Sequence, residues 1–288
     1  NKMRDFIYHA PTTIAEAISI LDEYGEEARP IAGGTAMVNL MKQNMVLADH
    51  LVGLGKLTEL RGITHTNGSL HIGALTRHRE LELNPEVQAH SPLLANTYSR
   101  VATVRIRNMA TVGGGLTHAD PAQDPPPSLM VLNSYVVLSS SRGSRELPVK
   151  DLFLDYYESA LEPGELLTEL VVPHAPKGAK TVYLKFLPRT EDDYATVSVA
   201  ALARVENGVC QEIRVSLGAV APTPFRATAV EDTLRGQQVT PDSIGAAAEA
   251  VVDQVDPLTD FRGSAEYKQA MAIVFTRRAL EQVLGLPS

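Results

Sequence analysis

Two glycine clusters constrain this chain most. The first lies in residues 29–42, RPIAGGTAMVNLMK, where an apolar run enters a Gly-Gly-Thr turn and leaves in a helix-like pattern. With no side chain on Gly33 or Gly34, backbone amides can approach phosphate oxygens closely, and the amides opening the following helix add donors and a favourable dipole. The segment lacks the lysine of a P-loop and the GxGxxG spacing of a dinucleotide fingerprint. A structural turn uses the same letters, so this segment alone leaves both readings open.

The second cluster, MATVGGG at residues 109–115, follows a segment with strand-like residues and leads into THADPAQDPPP, which carries Asp120 and Asp124. Three consecutive glycines are costly in chain entropy; close backbone packing, a ligand or a flexible loop each account for them. Two side-chain-free turns can face one extended ligand from two sides. An aspartate after the second could accept hydrogen bonds from ribose hydroxyls, as acidic residues do in other nucleotide sites.

The rest of the composition narrows the class. A chain of 288 residues with 44% hydrophobic content is long enough for a substantial core and two or three subdomains. The formal net charge of -8 argues against a surface for nucleic acid or anionic membrane, which needs a basic stripe to neutralise phosphates. One cysteine, Cys210, excludes an internal disulfide and any cysteine-ligated iron–sulfur or zinc cluster held by this chain alone. No signal-peptide pattern and no run of about 18 apolar residues is present, and the expected compartment is the cytoplasm. Asn67-Gly68-Ser69 matches a glycosylation triplet but reads more simply as a hairpin turn.

Along the chain, Thr13 and Glu16 form a capping-box pattern, Ile14, Ala17, Ile18 and Leu21 make one apolar face, and Gly25 can end the helix. Strand-like RPIAG, helix-like AMVNLMK and strand-like HLVGLG then form a β-α-β unit ending near Leu57. Residues 62–74 resemble a hairpin and 76–100 read largely as helix. Strands follow in SYVVLSSS, ELPVKDLF and LLTELVVP, with turns at Arg142-Gly143 and residues 162–165. After the linker candidate PHAPKGAK come three meandering strands, TVYLKFL, TVSVAALARV and CQEIRVSLGAV, and then helices at 242–254 and 264–284, a separate α+β subdomain.

Few residues point to catalysis by themselves. The eight histidines are scattered, without HExxH or related spacing, so no metal site is expected. No GxSxG elbow is present. Asp192-Asp193 reads as an exposed turn, and Tyr194 as either part of it or a ring lying against a flat ligand. Lys185, within a strand-like run, reads as a snorkelling surface lysine in preference to a cation beside a ligand.

The order of several motifs resembles the FAD-binding medium subunit of the molybdenum hydroxylase family, which includes carbon monoxide dehydrogenase, quinoline oxidoreductase and nicotine dehydrogenase. FIYHAPTTIAEAISIL, IAGGTA, RNMATVGGG, ADPAQDPP, EPGELLTELVVP, DDYATVSVAA, LGAVAPTPFRA and TRRAL carry the resemblance across essentially the whole chain. It implies an α+β protein: a two-lobed FAD-binding fold of the vanillyl-alcohol oxidase/xanthine dehydrogenase type plus a C-terminal subdomain of three antiparallel strands and helices. The expected boundaries are 1–57 and 58–175 for the two lobes and 180–288 for the subdomain.

By the same resemblance, Ile31, Ala32, Gly33, Gly34, Thr35, Ala36 and Met37 hold the diphosphate of a noncovalent FAD, and Thr111, Val112, Gly113, Gly114 and Gly115 clasp it from the second lobe. Asp124 matches a position near the ribose and adenine, Leu166 an apolar contact, Lys185 and Tyr194 positions near the flavin ring, and Val101 a further contact. Two departures stand out. Thr35-Ala36 replaces the family's usual His-Ser or Gln-Ser, and Gly115 replaces a common asparagine.

The function implied is electron transfer in a heterotrimer, from [2Fe-2S] clusters of a small partner subunit through FAD to an external acceptor. A large partner subunit carries molybdopterin and the substrate chemistry, so this chain commits no acid or base to it, and the assembly is expected to be a dimer of heterotrimers. A stand-alone FAD-dependent oxidase of the same fold and a non-redox nucleotide-binding scaffold are the alternatives.

Overall fold

The structure is a computed structural model that describes residues 4–188, 190 and 192–285. Its N-terminal part begins with β1 (Ile7–His9) and α1 (Ile14–Tyr24). The Thr13 side chain accepts from the Glu16 amide and Gly25, at φ 50°, ends the helix, as the sequence signals require. The return bond of the expected capping box is displaced by one residue: the Glu16 carboxylate accepts from the Thr12 amide at 2.7 Å. β2 (Ala28–Ile31), α2 (Met37–Lys42) and β3 (His50–Gly53) form the β-α-β unit, and β1 joins the other edge of β3, giving a parallel sheet of order β1-β3-β2. Ala17, Ile18 and Leu21 of α1 pack with Val52, Leu57 and Leu166 on one side of this sheet.

The middle part opens with the hairpin β4 (Ile63–Thr66) and β5 (Ser69–Gly73), closed by Asn67 and Gly68, both with positive φ. That pair of left-handed residues is the turn whose twist matches two antiparallel strands. Helices α3 (His78–Leu83), α4 (Pro85–His90) and α5 (Pro92–Ser99) follow, then α6 (Val104–Arg107), α7 (Val112–His118) and α8 (Pro125–Val131). Strands β6 (Tyr135–Ser140) and β7 (Gly143–Pro148), the short ladder of β8 (Phe153–Asp155) with β9 (Glu158–Ser159), and β10 (Leu166–Pro173) complete it. β10 inserts between the two hairpins, so the sheet order is β4-β5-β10-β6-β7.

One expectation fails here, and one of the open readings of the second glycine cluster is removed. The strand-like residues before the second glycine cluster form a single helical turn, α6, because the Thr103 side chain caps the Ile106 amide and Arg107 is buried against Glu82 and the carbonyls of Val101 and Ala102. Packing overrides the weak preference of β-branched residues. The three glycines are not a flexible loop; they occupy the first turns of α7, with Thr111 as the capping residue.

The C-terminal part is a sheet of order β11-β12-β13-β14, from β11 (Lys180–Phe186), β12 (Val197–Glu206), β13 (Val209–Gly218) and β14 (Phe225–Arg226), with α9 (Thr228–Leu234), α10 (Pro241–Glu249) and α11 (Ala265–Leu284). The expected three strands gain a fourth of two residues, β14, which pairs with Ser216 and Leu217; an element that short has no periodicity to read. β12 is buried on both faces. Val197, Val199, Ala201 and Ala203 meet α9–α11, while Ala200 and Leu202 join Tyr98, Leu129 and Leu170 in the middle core, the alternation a strand imposes. Among the described residues, no helix is long and apolar enough to cross a membrane.

Candidate functional site

The first glycine turn sits where the parallel sheet ends. Ile31 pairs with Gly53, the chain then bends through Gly34 at φ 72°, and α2 starts at Met37. Ile31, Ala32, Gly33, Gly34, Thr35, Ala36 and Met37 are all half-buried. Among the described residues no acceptor takes the amides of Gly33, Gly34, Thr35, Ala36 or Met37; the first amide to be used, that of Val38, donates back to the Gly34 carbonyl at 3.0 Å. Asn39 Nδ2 holds the Thr35 carbonyl at 3.1 Å, which steadies the turn without consuming a donor of its backbone. A row of unused amides ahead of a helix is the donor set that an anionic group fits.

The second cluster lies directly against the first. A Cβ added to Gly33 would stand 2.0 Å from the Met109 carbonyl oxygen and 3.1 Å from Ala110 Cα, so the two backbones touch where any other residue would hold them apart. A Cβ on Gly114 would reach within 3.9 Å of Ala32 Cβ. The fold therefore brings residues 31–37 and 111–115 together. Their backbones are used differently, however. The Val112 amide donates to the Thr76 carbonyl, Gly113 to Ala74, Gly114 to the Thr111 hydroxyl and Gly115 to the Thr111 carbonyl, all between 2.8 and 3.2 Å. The second turn contributes an exposed, side-chain-free surface at Gly114 rather than spare donors.

His78 supports that second turn from below and escaped the sequence reading. Its Nε2 donates to the Thr111 carbonyl at 3.1 Å and would lie 3.3 Å from a Cβ at Gly115, while its Nδ1 is buried without a partner. Burial pulls its pKa down to about 4, so the ring is neutral with its proton on Nε2. Tyr98 meets the ring edge-on at 5.0 Å.

Lys185 is not a surface lysine. Its side chain is 3% exposed, and Nζ donates to Asp124 Oδ2 and to the Arg100 carbonyl, both at 2.9 Å. The other Asp124 oxygen accepts from the Tyr183 hydroxyl, so both carboxylate oxygens are taken within the chain. Burial pushes the Asp124 carboxyl up, against the opposing pull of Lys185 and Tyr183. The surface reading of Lys185 failed because its counter-ion lies on a distant helix start, invisible to local pattern. Val101 follows Arg100 and packs half-buried on the middle core. Leu166, 3% exposed, belongs to the apolar cluster under the N-terminal sheet.

Tyr194 remains at the surface, 40% exposed, beyond the exposed Asp192 and Asp193. The Arg262 guanidinium stands 5.7 Å from its ring centroid. Arg262 in turn lines a cavity of about 230 Å³ with Asp120, Tyr156, Tyr157, Asp260 and Lys268. Asp120 is spoken for by the Ala122 amide and the Tyr157 hydroxyl. Nothing in the spacing of these residues announced that they would meet.

The described geometry has close counterparts. Residues 2–175 match the family model described as the FAD binding domain in molybdopterin dehydrogenase, and residues 182–283 that of the CO dehydrogenase flavoprotein C-terminal domain. The chain belongs to this family of FAD-binding subunits of molybdenum hydroxylases. It is 35% identical to the carbon monoxide dehydrogenase medium chain of Hydrogenophaga pseudoflava, covering 96% of each chain, and 30% identical to a putative xanthine dehydrogenase FAD-binding subunit of Escherichia coli K12, covering 98% of each. Among solved structures, it superposes on a chain of the Hydrogenophaga pseudoflava carbon monoxide dehydrogenase with a TM-score of 0.96 at 36% identity, covering 99% of both chains. A chain of quinoline 2-oxidoreductase from Pseudomonas putida 86 gives 0.93 at 30% identity, again covering 99% of both.

Proposed function

We propose that this chain is the electron-transfer subunit of a molybdenum hydroxylase, receiving electrons from [2Fe-2S] clusters of a small partner and delivering them through noncovalent FAD to an external acceptor in the cytoplasm. The observation that carries the reading is the unused row of amides from Gly33 to Met37, opposed by the bare surface of Gly114. In this reading the first turn binds the diphosphate, with Thr35 the only hydroxyl on that turn, and Thr111 and residues 112–115 shape the opposite wall. FAD bound there supplies a carrier that exchanges electrons singly or in pairs.

The chain's own residues bind, orient and tune. Lys185, paired with Asp124 and tied to the Arg100 carbonyl, fixes β11 to the start of α8, and the exposed ring of Tyr194 is available to lie against the flavin. Molybdopterin and the substrate belong to a large partner subunit, in keeping with the carbon monoxide dehydrogenase and xanthine dehydrogenase names of the relatives. The boundaries 1–57, 58–175 and 180–288 are the proposed division into lobes and subdomain.

Native mass spectrometry of the natively purified protein, with flavin and metal analysis, tests the reading. FAD in this chain within an assembly that also contains molybdenum and iron–sulfur chains is the expected result. FAD in a solitary chain that is bleached directly by substrate would replace it with a stand-alone oxidase.

A further inference from the structure

Three histidines that are far apart in sequence meet on the outer hairpin of the five-stranded sheet. His65 lies on β4, His90 closes α4, and His174 follows β10; one ring nitrogen from each lies within 4.8 Å of the others. His65 Nε2 and His174 Nε2 are 2.9 Å apart. The ring centroids are 3.9 Å apart for His65 and His90, 4.8 Å for His90 and His174, and 5.0 Å for His65 and His174. We propose that His65, His90 and His174 form a binding site for a divalent first-row transition-metal ion of the zinc, nickel or copper kind.

The backbone holds all three in place. His65 is paired opposite Leu70 in the hairpin, the His174 amide donates to the Gly68 carbonyl at 3.0 Å, and α4 is capped at its start by the Asn84 side chain. His65 and His174 are exposed and His90 half-buried, so water and an ion reach the nitrogens and the rings can turn without displacing a core. Imidazole is the ligand that suits zinc, copper and nickel, and a carboxylate stands ready beside it: Glu86 Oε2 lies 3.2 Å from His90 Nε2.

The geometry needs only side-chain adjustment. Metal–nitrogen bonds of about 2.0–2.1 Å in a tetrahedral site put ligand nitrogens roughly 3.3–3.4 Å apart. The His65–His174 nitrogens must open slightly from 2.9 Å, and the widest separation must close from at most 4.8 Å. The stacked rings of His65 and His90, inclined by 22°, must fan apart, because an ion lies near the plane of each ring that binds it; His174 is already inclined by 37° and 55° to the others. Without a cation, His65 Nε2 and His174 Nε2 share one proton in a hydrogen bond and His90 Nε2 faces the Glu86 carboxylate. An ion takes the place of the shared proton and bonds a nitrogen of each ring. It also ties the hairpin and α4 to the segment leading from β10 into the C-terminal sheet.

The site lies away from the glycine turns: β5 runs from the His65 end of the hairpin toward Ala74, which packs against Gly113 at its far end. Metal binding and flavin binding are therefore separable. The test uses the full FAD-loaded protein stripped with a chelator, titrated with Zn²⁺ by calorimetry and with Co²⁺ by visible absorption. One equivalent should bind, Co²⁺ should show the intense bands of four-coordinate ligation, and H65N, H90N and H174N should each weaken Zn²⁺ binding by at least 10-fold, the lower end of what loss of outer-shell partners of metal sites costs. Flavin absorbance that is unchanged in the variants certifies their fold. Substoichiometric binding, a Co²⁺ spectrum like that of the aqueous ion, or wild-type affinity in all three variants would each overturn the proposal. The wild-type cobalt spectrum decides it even if a variant fails to fold.

Discussion

The ammonium of Lys185 lies 2.9 Å from Asp124 Oδ2 with both side chains almost entirely withdrawn from water, joining β11 to the start of α8. A buried pair is costly to break, since the surviving partner stays in a low-dielectric site. K185M and D124N should each cost about 3–5 kcal/mol, and the double change K185M/D124L should recover much of it. Urea unfolding midpoints with unchanged slopes measure this. Without its cation Asp124 must be protonated to stay buried, so the K185M deficit should grow as pH rises above about 4. A deficit independent of pH would mean that the carboxylate had found another partner.

His78 predicts an acid limit for the second glycine turn. The unfolded ring has a pKa near 6.5, whereas the folded one is pulled down to about 4. Between those values the unfolded chain binds a proton that the folded ring refuses, so stability falls as pH drops from about 6.5 to 4, by about 3 kcal/mol in all. H78Q, which keeps a donor for the Thr111 carbonyl, should remove that part of the slope. Thermal midpoints of the two proteins at pH 7 and pH 4.5 should converge at the lower pH.

Gly33 and Gly114 lie on adjoining turns and should respond unequally to alanine. At Gly33 the new Cβ meets a backbone carbonyl at 2.0 Å, which can move only by parting the two turns; G33A should lose both flavin and stability. At Gly114 the obstacle is the Thr111 hydroxyl at 2.9 Å, which can rotate away at the cost of a helix cap, about 1 kcal/mol. G114A should stay folded with weaker flavin affinity. Flavin fluorescence on dilution, beside circular dichroism, separates the two results.

Asn67 takes a left-handed backbone at φ 53° to close the β4–β5 hairpin. N67V places a β-branched residue there and should cost about 1–2 kcal/mol. N67G should be tolerated. Denaturant midpoints of both variants check the pair, and equal losses would point to the Asn67 side chain rather than its backbone.

Much of this molecule was legible one segment at a time. Thr13 and Gly25 bounded α1, Asn67-Gly68 closed the hairpin, Pro173 ended β10 and the first glycine run marked the turn before α2, because caps, turns and steric freedom act within a few residues and leave their cause in the local sequence. The same local logic misled where packing outweighed propensity, at α6, and where an element was too short to show a period, at β14.

Only the tertiary structure decided which of these segments meet. That the Gly33 backbone touches Met109, that Lys185 is neutralised by Asp124, that His78 holds Thr111, and that His65, His90 and His174 share one corner are all set by how the separate elements pack in space. The partners in these contacts lie tens of residues or more apart in the chain. Burial and charge pairing are set by what surrounds a side chain in space, and a residue's neighbours in sequence do not specify that surrounding.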